Sequence, residues 1–136
     1  MIDTLQDYPV AGIATDGAHS TKQGRTRYRG VDLATGDILF SQQAGNRTAN
    51  VGEFLGVVTA ARYILEHNYV PAVIYTDSTT AISWYRAGRA ATRRRSPDVL
   101  RAEVFLRLMA VPLATVEIRH WDTRRWGEIP ADYGEK

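Results

Sequence analysis

The chain has no cysteine, so neither a disulfide framework nor a thiolate metal site can form. Lysine is nearly absent. Of 17 basic residues only Lys22 and Lys136 are lysines, and the rest are arginines. Arginine's planar fork suits phosphate oxygens, although an arginine-rich coding bias gives the same skew. The net charge of +2 names no partner by itself. No long apolar run and no leader-like segment is read, so no membrane partner and a cytoplasmic location are expected. Repeats, low-complexity tracts and linkers are also lacking. With 136 residues, 44% hydrophobic and 24% charged, one globular domain spanning 1–136 is expected, as a monomer.

What is present is an alternation of strand and helix signals. An apolar stretch at 8–15 reads as a strand, and "DGAHSTKQG" after it reads as a turn. Residues 26–33 and 37–43 read as a hairpin turning at Thr35-Gly36. Residues 50–67 carry Phe54, Val57, Val58, Ala61, Ile64 and Leu65 at helical spacing. "PAVIYT" (71–76) is a fourth strand, followed by a short helix over 78–87. Ser96-Pro97 opens a further helix with Leu100, Val104 and Leu108 along one face. Residues 114–121 form a fifth strand, with Val116, Ile118 and His120 on one side, and Pro130 starts a last helical turn. This order implies an α/β architecture, a mixed sheet flanked by helices.

Four carboxylates stand in unusual places. Asp16 and Asp77 each follow an apolar strand, where open α/β sheets place their sites. Each has a structural alternative, since Asp77 or Ser78 can cap the next helix. Glu53 fits a capping box as Asn50-x-x-Glu53, yet it shares a face with Val57, Ala60 and Ile64. Asp132 in "IPADYG" is equally open to a capping role. Together, carboxylates converging from two strand ends and a helix would repel unless cations lay between them. An oxygen-only ligand set points to Mg²⁺ or Mn²⁺.

The pieces "TDGA" at 15–18, Asn50-Val51-Gly52-Glu53, "YTDS" at 75–78 and "AD" at 131–132 occur in the order of a known quartet. By them the chain resembles the type 1 ribonuclease H family over nearly its whole length. The resemblance implies a ribonuclease H-like fold: a five-stranded mixed sheet, three antiparallel strands then two parallel ones, flanked by helices. It implies hydrolysis of the RNA strand of RNA–DNA hybrids with two Mg²⁺ ions. In that reading Asp16 bridges both ions, Glu53 and Asp77 complete one site, and Asp132 completes the other. Gly17, Thr48, Asn50 and Ser78 fall at substrate-binding positions.

The chain also departs from the family. Its members usually carry a histidine ten residues before the last aspartate, a place held here by Asp122. His120 lies two residues earlier and is expected to be structural, packed on the core with Val116 and Ile118. Asp122 or the Arg124-Arg125 pair would then shape the loop, and His19 is a lesser candidate. The run Arg93, Arg94, Arg95 reads as a solvated turn, with a phosphate contact as the alternative. The competing functions are a catalytically weak or inactive hybrid-binding module and another ribonuclease H-like nuclease such as a resolvase.

Overall fold

The computed structural model describes residues 7–133. Along the chain run β1 (Ile13–Ser20), β2 (Arg25–Asp32), β3 (Ile38–Gln43), α1 (Ala49–His67), β4 (Val73–Thr76), α2 (Thr79–Ala87), α3 (Pro97–Leu108), α4 (Ala110–Leu113), β5 (Glu117–His120) and α5 (Thr123–Trp126). The sheet order is β3-β2-β1-β4-β5. β1, β2 and β3 pair antiparallel, whereas β1–β4 and β4–β5 pair parallel. This is the expected mixed sheet.

Strand alternation sends successive side chains to opposite faces, and both faces are covered. Ile13, Tyr28, Ile74, Val116 and Ile118 join one cluster with residues of α1, α2 and α3. Ala14, Val31, Tyr75, Trp121, Ile129 and Ala131 form a second, edged by Tyr8 and Trp126. The aromatic rings of that second cluster meet edge-on: Trp121 lies 5.3 Å from Tyr8 and 5.1 Å from Trp126. The second face is thus closed by the C-terminal segment rather than by long helices.

Several local expectations change. The first strand begins later and runs through Ser20, because Asp16, Gly17, Ala18 and His19 pair residue by residue with β2. The turn follows at 21–24 instead. The hairpin turn stands as expected, with Gly36 at φ +81° and its N–H on Asp32 O. The apolar stripe of α3 faces outward: Leu100 and Val104 are 43% exposed and Leu108 75%. The buried side holds Val99, Ala102 and Leu106. The two short helices α4 and α5 were not expected. From Pro130 the chain makes a plain turn up to Tyr133, and any continuation of the expected helix lies outside the described residues.

Candidate metal centre

β1 pairs with β4 through only two residue pairs, Ile13–Ile74 and Ala14–Tyr75. Extending that register by two residues sets Asp16 level with Asp77. The two strands end their pairing where their carboxylates begin, at the carboxyl end of β4. Asp16 therefore lies inside β1, still paired to Arg29 of β2, and is 3% exposed.

Glu53 arrives from the other side. Helix α1 comes so close to β1 that a Cβ on Gly17 would sit 2.5 Å from Glu53 N and Gly52 C. A Cβ on Gly52 would meet Cγ2 of Thr26 at 2.8 Å, so glycine on both surfaces permits the approach. The Gly17 N–H donates to Glu53 Oε1 at 3.0 Å. The capping box is thereby overturned. Thr48, not Asn50, is the N-cap, its side chain accepting from Val51 N, and the Glu53 carboxylate is turned to the strand because a tertiary donor outcompetes the local one. Asp77 does not cap α2 either; Ser78 does, accepting from Ala81 N at 3.0 Å.

Asp16, Glu53 and Asp77 each present an oxygen within 4.8 Å of the others. Burial, then the charges of Asp16 and Asp77, push the Glu53 pKa up to about 9, against a smaller opposing pull from the Gly17 N–H. Three carboxylates so gathered suit a hard divalent cation with oxygen ligands. Asp132 lies outside this trio, on a strap over the second face. Its neighbour Tyr133 donates its N–H to Asp16 Oδ2 at 3.0 Å, which ties the strap to the trio.

The other candidates land variously. Thr48 and Asn50 are exposed at the start of α1, about one turn from Glu53. His120 is exposed at the end of β5, contrary to the core packing expected of it. It pairs with Thr76 and lines a cavity with Thr79, Ile82, Ser83 and Arg86, since the strand ends there beyond the covered part of the sheet. Asp122 is the N-cap of α5, accepting from Arg125 N. His19 Nδ1 hydrogen-bonds Thr26 Oγ1 at 2.8 Å. Arg95 is not a solvated residue: it pairs with the buried Glu103 and donates to Ala90 O, while Arg93 and Arg94 are exposed.

Arg27, Arg29 and Tyr133 were not foreseen as part of the site. The one trace of them in the sequence is the Arg-x-Arg alternation, which puts both arginines on one face of a strand.

No protein-family model matches the chain. Among solved structures, the chain resembles the N-terminal ribonuclease H domain of Rv2228c from Mycobacterium tuberculosis, solved as a fusion with maltose-binding protein. The identity is 18%, with 85% of each chain covered and a TM-score of 0.55. It also resembles LC11-RNase H1 in complex with an RNA/DNA hybrid, at 16% identity over 83% of this chain and 86% of that one, with a TM-score of 0.56. The prototype foamy virus protease–reverse transcriptase matches at 17% identity over 80% of this chain and 17% of its own, with a TM-score of 0.54. With the sheet order β3-β2-β1-β4-β5 and its mixed pairing, these likenesses establish that the chain has the ribonuclease H fold.

Proposed function

We propose that the protein hydrolyses the RNA strand of RNA–DNA hybrids, with Mg²⁺ or Mn²⁺ held by Asp16, Glu53, Asp77 and Asp132. The observation that carries this reading is the gathering of the Asp16, Glu53 and Asp77 oxygens within 4.8 Å where the β1–β4 pairing of a ribonuclease H fold ends. The donor set fits such a cation, because mutual repulsion and burial leave Glu53 protonated near neutral pH and a bound cation reverses that balance. When bound, divalent cations stabilise charge on the phosphate and activate water.

The chain's own residues have distinct tasks in this reading. The Gly17 N–H fixes the orientation of the Glu53 carboxylate, and the Tyr133 N–H fixes that of Asp16. Thr48 and Asn50 offer exposed polar groups beside Glu53, suited to a hybrid's backbone and its 2′-hydroxyls, which distinguish RNA from DNA. One structural neighbour holds an RNA/DNA hybrid, which supports the same substrate class.

The test is a panel of end-labelled duplexes, RNA–DNA, RNA–RNA and DNA–DNA, incubated with Mg²⁺, Mn²⁺ or EDTA. The expected result is cleavage of the RNA strand in the hybrid alone, abolished by EDTA. Equal cleavage of a DNA–DNA duplex would assign the site to another nuclease of this fold. Tight hybrid binding without cleavage would make it a binding module.

A further inference from the structure

Arg29 stands directly opposite Asp16 in the β1–β2 ladder. Its guanidinium crosses to the C-terminal strap and uses both arms of the fork. Nε donates to Ala131 O at 2.8 Å and Nη2 to Asp132 O at 2.6 Å. The same guanidinium carbon lies 4.5 Å from the centre of the Tyr133 ring. Two residues earlier, Arg27 lies 4.6 Å from that ring. Three consecutive residues, Ala131, Asp132 and Tyr133, are thus fastened to β2, and the last of them returns its N–H to Asp16.

We propose that Arg29 is a positioning residue for the metal centre. It holds the backbone of Asp132 at the height of Asp16, so that the Asp132 carboxylate is available to a cation at the trio and the Tyr133 N–H orients Asp16. The inference rests on the reading of Asp132 as a metal ligand. Arg29 touches neither cation nor substrate in this account; it acts through the strap.

General packing does not require an arginine here. Ile129 and Ala131 already anchor the strap in the second core, at 1% and 0% exposure. Arg29 adds a grip on the carbonyls of the two peptide planes that flank the Asp132 Cα, where a small rotation would swing the carboxylate. A lysine, with a single point-like donor group, cannot bridge two carbonyls in a fixed fork.

The test is calorimetric titration of Mn²⁺ into the metal-free protein, with thermal unfolding and the Mn²⁺ dependence of hybrid cleavage measured alongside. The variants are Arg29→Ala, Arg29→Lys, Asp132→Asn and the double Arg29→Ala/Asp132→Asn. Arg29→Ala should weaken Mn²⁺ binding ~10–100-fold, as loss of an outer-shell partner does, and raise the Mn²⁺ needed for half-maximal cleavage. Arg29→Lys, which keeps the charge over Tyr133, should fold and still bind Mn²⁺ several-fold more weakly. It carries the comparison if Arg29→Ala does not fold.

In the Asp132→Asn background, Arg29→Ala should cost clearly less than it does in the wild type, because only its hold on Asp16 through the Tyr133 N–H remains to be lost. A lowered melting temperature with unchanged Mn²⁺ affinity in both Arg29 variants, or full additivity in the double variant, overturns the inference while Asp132 keeps its role. Unchanged Mn²⁺ affinity and cleavage in Asp132→Asn alone overturns the reading of Asp132, and this inference with it.

Discussion

Glu53 is placed where three influences oppose its charge. Burial, Asp16 and Asp77 together lift its pKa from the ordinary 4.5 to about 9. A folded-state pKa above the unfolded one means that the folded form keeps a proton the unfolded chain has released. The associated stability is complete below about 4.5 and declines as the pH rises toward about 9. The metal-free protein should therefore melt at progressively lower temperature between pH ~5 and ~9, and Glu53→Gln should flatten that dependence. Added Mn²⁺ should raise the melting temperature far more at the alkaline end, where its ligand is easier to ionise. Melting curves across pH, with and without Mn²⁺, check this; a flat metal-free profile that Mn²⁺ does not move would remove Glu53 from a cation site.

Helix α1 and strand β1 deliver that carboxylate by backbone proximity. Gly17→Ala would drive a methyl group to 2.5 Å from backbone atoms of Gly52 and Glu53, which no side-chain rotation relieves. It should cost ~1–3 kcal/mol in denaturant unfolding, the usual penalty of overpacking, and should weaken Mn²⁺ binding by displacing Glu53. Wild-type stability in this variant would show that the close approach is dispensable. The same elements mark how far the sequence is legible. α1 was readable because Phe54, Val57, Val58, Ala61 and Ile64 repeat at helical spacing and all are buried. Its first turn departs from the sequence pattern because the local arrangement Asn50-x-x-Glu53 loses to a tertiary donor 36 residues away. α3 carries two apolar stripes, and periodicity alone cannot say which meets the sheet. Leu100, Val104 and Leu108 are outward while the smaller Ala102 is covered. For His120, strand alternation gave the side correctly, but not that the core ends before it.

For the molecule as a whole, the second face of the sheet explains how a distant C-terminal segment becomes part of the site. Trp121 is 0% exposed, and its Nε1–H donates to Gly127 O at 2.8 Å, bracing the chain that leads to the strap. Trp121→Ala should cost ~3–5 kcal/mol in denaturant unfolding and loosen the 131–133 strap along with the aromatic cluster. A loss below ~1 kcal/mol would mean that the second core is not what seats the strap. The gathering of Asp16, Glu53 and Asp77 is legible in short motifs, whereas the grip of Arg29 on the Asp132 backbone is not, because the two residues lie 103 positions apart. Among the described residues, no helix is long and apolar enough to cross a membrane. The most direct measurement is cleavage of an end-labelled RNA–DNA hybrid by wild type and Asp77→Asn, with the fold of each checked by circular dichroism. Loss of a ligand should exceed the ~10–100-fold cost of losing an outer-shell partner, so Asp77→Asn should be folded, at least as stable without metal, and lower in rate by more than ~100-fold. Cleavage by a folded Asp77→Asn protein within a few-fold of wild type, or wild-type cleavage that survives EDTA, would contradict the account.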